Sequence, residues 1–284
     1  MALFNLTIDA RFRFGDDGRL SVRVLDPKAR GLRLLDLLPI AIRYRIRNAE
    51  KIFSRIAGDR RDVHYFDKVI DGFRLNVSAE FAPSAHVPAS GPLIVVANHP
   101  LNGVDGMAIA SVLARSRPDL RLMLTTTFEG VPGLADYAIF VNASDGPSAK
   151  HRAEPVREAI AWLKSEHALI VFPAGQGSFI REPGRPDPVD VPWNKGVATL
   201  LKNSGANVLP VFVRGRASQV FLRTRRLYGP ISTLFLLREI LIQEGSTIRL
   251  RIGKPVSHEM ISAQGSREQQ VAFLRQATYE LDRA

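Results

Sequence analysis

Gly91-Pro92-Leu93-Ile94-Val95-Val96-Ala97-Asn98-His99-Pro100-Leu101-Asn102-Gly103-Val104-Asp105-Gly106 decides how the chain is read. Leu93 to Ala97 are apolar without a break, the pattern of a strand buried on both faces. Asn98-His99-Pro100 ends the run, and a glycine-containing turn follows. The spacing puts a histidine at the mouth of a buried strand, with the Asp105 carboxylate six residues on. That is a place where a His–Asp dyad for proton transfer can be built.

Downstream, apolar strands alternate with helices. A helix is predicted near Asp105–Arg115, a strand near Leu120–Thr125 and an amphipathic helix over 151–166. The apolar strand Ala168–Phe172 comes next, then a helix near Asn194–Asn203 ending at Gly205 and a strand at Asn207–Val213. Thr247–Ile252 alternates Ile248, Leu250 and Ile252 with arginines and reads as an outer strand. Ser266–Arg283 reads as a closing helix with a Ser266/Gln269 capping box. This order implies an α/β fold with a mostly parallel central sheet flanked by helices.

Upstream, residues 1–29 read as an N-terminal β-hairpin: Leu6 to Phe14 and Leu20 to Val24 alternate about a Gly15-Asp16-Asp17-Gly18 turn. Residues 30–60 read as a basic amphipathic helix pair divided by Pro39. Their apolar face suits either an anionic membrane surface, with arginines on the head groups, or the cover of a core. Residues 61–284 form the α/β domain, with Phe66–Phe73 as a helix and Arg74–Phe81 as a strand.

With 284 residues, 45% of them hydrophobic, the chain has ample core. Its apolar runs fall short of the ~18–20 residues that span a bilayer, and the N-terminus has no signal-peptide pattern. Without cysteine there is no disulfide or thiol catalysis. A net charge of +11 points to an anionic partner. Nucleic acid is disfavoured, since no nucleic-acid-binding signature is present. No metal-ligand spacing is found.

Sites in such sheets form at the carboxyl ends of strands. A second candidate lies there, Phe172-Pro173-Ala174-Gly175-Gln176-Gly177-Ser178, whose glycines free the backbone for close approach to a ligand and turn N–H groups outward. A third strand carries Leu209-Pro210-Val211.

Asn-His-Pro-x-x-Gly-x-Asp-Gly, Phe-Pro-Ala-Gly and Leu-Pro-Val, in this order, resemble blocks one, three and four of the glycerolipid acyltransferase superfamily, the 1-acylglycerol-3-phosphate O-acyltransferase type. Over roughly 92–257 the resemblance is closer to its bacterial hemolysin-like branch, which includes lyso-ornithine-lipid O-acyltransferases. That branch carries the acid one residue later than the usual His-x4-Asp, as His99-x5-Asp105 does here, with Val104 at the usual position. Ser246 to Pro255 resembles that branch's tail.

The resemblance implies catalysis by His99 as general base on an acceptor hydroxyl, with Asp105 holding the imidazole tautomer. Backbone N–H groups near His99 or in the 174–178 loop would stabilise the oxyanion. The residues expected at the substrate are Asn98, Asn102 and Gly103, the loop Pro173, Ala174, Gly175, Gln176, Gly177 and Ser178, and the cations Arg181 and Lys195. No bound cofactor is expected; acyl carrier protein or coenzyme A would bring the acyl group as a thioester.

The departures bear on the acceptor. Block three usually reads Phe-Pro-Glu-Gly-Thr-Arg-Ser, whereas Ala174 and Gly177 replace its Glu and Arg, and Asn142 stands where block two has an arginine. Those arginines are associated with the acceptor phosphate. Their loss favours a lyso-aminolipid such as lyso-ornithine lipid over lysophosphatidic acid, the alternative acceptor, at the cytoplasmic face of the inner membrane. The other classes weighed are a serine lipase or thioesterase, for which the Gly-x-Ser-x-Gly elbow is absent, and a non-catalytic lipid-binding membrane protein.

Overall fold

The computed structural model describes residues 10–14, 20–24, 40–56, 62, 64–141, 149–178, 189–222, 236 and 238–283. Strands β1 (Ala10–Phe14) and β2 (Leu20–Val24) pair antiparallel, Ala10 opposite Val24, as the predicted hairpin. The main sheet contains β3 (Asn76–Phe81), β4 (Leu93–Ala97), β5 (Arg121–Thr125), β6 (Ala138–Val141), β7 (Ala168–Val171), β8 (Asn207–Arg214) and β9 (Thr247–Ile252), in the order β3-β9-β8-β4-β7-β5-β6. Every neighbouring pair is parallel except β8–β9.

β4, the apolar run before His99, is the centre of this sheet. β4 pairs with β7 on one side and β8 on the other, and all five of its residues are buried. Leu93, Val95 and Ala97 enter one core with α1 (Ile40–Ile56), α2 (Tyr65–Gly72) and α3 (Val104–Leu113). Ile94 and Val96 enter the other, against α4 (Ala149–Lys164), α5 (Gly196–Ser204), α6 (His258–Ser262) and α7 (Arg267–Glu280). Helices on both faces are why β4 is apolar throughout rather than alternating. The capping box of α7 forms as predicted: the Ser266 hydroxyl accepts the Gln269 N–H, and the Gln269 side chain accepts the Ser266 N–H.

β9 is not an outer strand. It lies between β3 and β8, and β3 holds the edge. Ile248, Leu250 and Ile252 are buried while Thr247 and Arg249 are exposed. A period of two reports one uncovered face, which an interior strand can have as well as an edge strand.

Of the basic segment 30–60, α1 is described. Its Ile46 and Ala49 are buried, and Ile52 and Phe53 pack against the first core, while Arg47, Lys51 and Arg55 are exposed. The described apolar face is therefore committed to the protein interior. Residues 30–39 lie outside the described residues. No helix among the described residues is long and apolar enough to cross a membrane.

At the amino ends of β5 and β7, Arg117 is almost fully buried and makes a bidentate pair with Asp119, at 2.9 and 2.6 Å. Its guanidinium also donates to the carbonyls of Pro88 and Glu166, and Asp119 accepts the Ala168 N–H at 3.0 Å. Replacing Arg117 by Met leaves both carbonyls and the carboxylate short of a donor. The expected cost is about 3 kcal/mol, read as a lower urea midpoint, with the turnover of the folded fraction unchanged because the cluster lies at the end of the sheet opposite the candidate site.

Candidate active site

His99 lies two residues beyond the end of β4. Its Nδ1 lies 2.8 Å from Asp105 Oδ2, so the additional residue in His-x5-Asp does not separate the pair. The turn absorbs it by placing Asn102 at φ 58° and Gly103 at φ 139°, left-handed conformations that asparagine and glycine tolerate best. The same turn points main-chain donors inward. Leu101 N–H reaches Asp105 Oδ2 at 3.0 Å, and the N–H groups of Gly103 and Gly106 reach Oδ1 at 2.9 and 3.1 Å. Asp105 is fully buried in the first turn of α3, where the helix dipole favours a negative charge.

Burial pushes the Asp105 carboxyl up. The charge and hydrogen bond of His99 and the N–H groups of Gly103 and Leu101 outweigh it and hold the group below its ordinary value. An ionised carboxylate only accepts, so in the neutral imidazole Nδ1 carries the proton and Nε2 the lone pair. The imidazole also stacks on Phe172 at the end of β7, with ring centroids 4.2 Å apart.

The predicted contact residues divide into three groups. The first is structural. Asn98 bonds the Val213 main chain of β8 through both ends of its carboxamide, at 2.9 and 2.7 Å, and prolongs the β4–β8 ladder. Ser178 is buried, its hydroxyl donates to Asp190, and its N–H donates to the His99 carbonyl at 2.8 Å. Pro173 accepts the Asn194 N–H at 2.7 Å, and Ala174 packs in the second core. The polar groups of Asn98 and Ser178, expected at the substrate, are thus engaged within the protein.

The second group meets where the two loops touch. An added Cβ at Gly177 would lie 1.6 Å from Asn102 Oδ1, so glycine is required there for the carboxamide to fit. Asn102 Nδ2 is buried with no protein partner. Gly175, at φ 66°, closes a turn by donating its N–H to the Phe172 carbonyl. With the N–H groups of His99, Leu101, Gly103, Gly175 and Ser178 all engaged, the expected main-chain oxyanion donors narrow to those remaining, including the Gly177 N–H; the Asn102 carboxamide at the same place was not among the expected donors.

The third group holds the remaining predicted contacts, Lys195, Gln176 and Arg181. Lys195 is exposed and pairs with Glu268 on α7. Gln176 is exposed on its loop. Arg181 lies outside the described residues, as does Asn142.

Beside the dyad an apolar cleft has an empty volume of about 750 Å³, part of it open to solvent. Gly103 and Val104, next to Asp105 in the chain, form part of its wall, with Phe53 of α1, Met107 of α3, Phe128 and Ile240. Leu241, the neighbour of Ile240 in the chain, lines the cleft as well.

Two buried carboxylates escaped the sequence reading. Asp190 accepts from the His99 N–H, Ser178 and Trp193. Glu239 accepts from the Ser218 N–H at 2.7 Å, its hydroxyl at 2.6 Å and Arg238 at 2.7 Å, and so fixes the segment carrying Ile240. An acid set among apolar neighbours, Val189-Asp190-Val191 and Glu239-Ile240-Leu241, was the available signal.

A buried His–Asp pair thus stands at the carboxyl end of the central strand, beside a glycine loop and an apolar cleft. Residues 72–284 match the family described as Acyltransferase, and the chain belongs to it, within the glycerolipid acyltransferase superfamily. The chain is 26% identical over 219 residues to the lyso-glycine lipid O-acyltransferase of Phocaeicola vulgatus, covering 73% of this chain and 74% of that protein. It is 24% identical over 242 residues to the lyso-glycine lipid O-acyltransferase of Bacteroides thetaiotaomicron, covering 81% and 84%. The crystal structure of the 1-acyl-sn-glycerophosphate (LPA) acyltransferase PlsC from Thermotoga maritima shares the fold, with TM-score 0.51 and 19% identity over 88% of this chain and 85% of that one.

Two outcomes are expected. Gly177→Ala drives a methyl into the Asn102 carboxamide and lowers activity and thermal midpoint. Adding Asn102→Gly, which suits φ 58°, is expected to restore the thermal midpoint but not the activity, because the carboxamide is lost with the clash; failure of the double variant to recover the midpoint would refute the steric account. Because the folded Asp105 pKa lies below its unfolded value, the ionised carboxylate stabilises the protein above the unfolded value, and this is lost as pH falls through the folded one. The stability advantage of the wild type over Asp105→Asn is therefore present at about pH 5 and declines below about pH 4, as urea titrations at successive pH values would record.

Proposed function

We propose that this acyltransferase moves a fatty acyl group from a thioester to the free hydroxyl of a lyso-aminolipid at a membrane surface. The observation that carries the reading is the 2.8 Å His99–Asp105 pair set against an apolar cleft whose wall includes the adjacent Gly103 and Val104. The apolar lining of the cleft suits an acyl chain, and Gly103 and Val104 join its wall to the turn that carries the dyad.

Asp105 keeps Nδ1 protonated and His99 Nε2 takes the proton of the acceptor hydroxyl as its oxygen attacks the thioester carbonyl. The tetrahedral oxyanion is met by the Gly177 N–H and the Asn102 Nδ2–H. As the intermediate collapses, the C–S bond breaks, the thiolate leaves with the proton held by His99, and the new ester remains on the lipid. The acyl carrier is acyl carrier protein or coenzyme A, whose negative charge suits a chain of net charge +11. The protein works from the cytoplasmic face of the inner membrane, meeting the lipid surface through basic residues of α1 and the segment before it.

The acceptor head group follows from absences at the block positions. Ala174 and Gly177 offer no cation where a phosphate-reading arginine or its neighbouring acid usually stands. A lipid with an amino-acid head, glycine or ornithine, fits better than lysophosphatidic acid, and the two lyso-glycine lipid relatives support that class.

Purified enzyme supplied with acyl carrier protein or coenzyme A thioesters, and with lyso-glycine lipid, lyso-ornithine lipid and lysophosphatidic acid, tests this. Transfer to a lyso-aminolipid is expected, with a loss of about 10³-fold in His99→Ala; full activity in that variant would end the mechanism. Preference for lysophosphatidic acid would overturn the acceptor assignment, and free fatty acid without ester product would indicate a hydrolase. Met107→Trp, which narrows the cleft, is expected to shift the preferred acyl chain to shorter lengths; unchanged preference would remove the cleft from the acyl path.

A further inference from the structure

His99 is held by its main chain as well as by its ring. Its N–H donates to Asp190 Oδ1 at 3.2 Å, and its carbonyl accepts the Ser178 N–H at 2.8 Å. The Ser178 hydroxyl donates to the same Oδ1, which closes a ring of hydrogen bonds through His99, Asp190 and Ser178. Trp193 Nε1–H occupies Oδ2 at 2.8 Å. Asp190's own N–H donates to the Tyr279 hydroxyl oxygen at 3.0 Å, which anchors the arrangement on α7. Burial pushes the Tyr279 phenol up to about 12, so it stays neutral. The network joins the end of β4, the loop after β7 and the closing helix.

A carboxylate with no solvent exposure is costly unless its oxygens are supplied with donors. Three donors supply it here, and two of them come from the loops that bear His99 and Gly177. A carboxylate suits the place because both oxygens accept: one takes His99 and Ser178, the other takes Trp193. An asparagine has one such oxygen. It must either release His99 or set its NH₂ against the Trp193 N–H.

We propose that Asp190 is a positioning residue, which with Ser178 fixes the main chain of His99 and thereby the line along which Nε2 meets the acceptor hydroxyl. The inference rests on the acyl-transfer reading of His99. It makes Ser178 a strut of the base, with its hydroxyl committed to Asp190.

The test uses the full-length enzyme and two readouts normalised to folded protein. One is kcat and KM for acyl transfer. The other, independent of turnover, is the far-downfield ¹H NMR resonance of the His99 Nδ1–H···Asp105 proton, assigned by its loss in His99→Ala. Asp190→Asn is expected to lower kcat by about 10²-fold, as small displacements of a reacting group do, to leave both KM values within about twofold, and to shift or broaden the resonance. Adding Trp193→Phe removes the opposing donor, lets the amide oxygen face His99, and is expected to bring kcat and the resonance back to those of Trp193→Phe alone. Ser178→Ala, which retains the carboxylate, serves should Asp190→Asn not fold, and is expected to move the resonance and lower kcat. Wild-type kcat and an unmoved resonance in Asp190→Asn, or in Ser178→Ala if the former does not fold, would overturn the proposal, as would a double variant no better than Asp190→Asn. If the wild type transfers no acyl group, the acyl-transfer reading fails while the resonance still reports whether Asp190 holds the dyad.

Discussion

The structure is arranged around one buried charge. Asp105 has no solvent exposure, and a carboxylate in that state is sustained only by donors. Three main-chain N–H groups and the His99 ring supply them. Collecting three amides about one carboxylate requires the turn to reverse tightly, which is why consecutive residues, Asn102 and Gly103, hold positive φ. The turn in turn needs a rigid base. β4 provides it, wedged between two parallel neighbours with a core on either face. The constraint thus runs from the carboxylate outward: the turn, the central strand, and the position and tautomer of His99.

The surroundings of the histidine are sharply divided. On one side lie polar loops closed by Asp190 and by the meeting of Asn102 with Gly177. On the other lies a cleft walled by Phe53, Met107, Phe128 and Ile240. A reaction joining a long apolar chain to a polar lipid needs such a boundary, with the reacting atoms at its edge. The α1 helix serves the apolar side: its Ala49 and Phe53 line the cleft, while its Arg47, Lys51 and Arg55 are exposed.

Much of this was legible in the residues, for physical reasons. An unbroken apolar pentapeptide admits few readings other than a strand covered on both faces, and the residues that stop it mark the site. The helix after it, the α7 capping box and the N-terminal hairpin were legible because their signals are local. What depends on distant contacts was not. The alternation in β9 revealed its uncovered face but not its neighbours. Asn98 looked like a polar residue at an active site, and only the approach of Val213 from β8 shows that it is a splint. Asp190 lies more than ninety positions from His99, at the end of a Pro-rich stretch, and no spacing rule connects them. The charge stands out only as an acid flanked by valines.

The central claim is that His99, held by Asp105, esterifies a lysolipid. Its most direct test is the lipid composition of cells expressing the chain, compared by mass spectrometry with cells expressing His99→Ala at equal protein level, in a background that makes lyso-aminolipids. The account predicts that a mono-acylated aminolipid falls and its O-acylated product appears with the wild-type chain alone. The same conversion with the His99→Ala chain, or a rise in free fatty acid with no new ester, would contradict it.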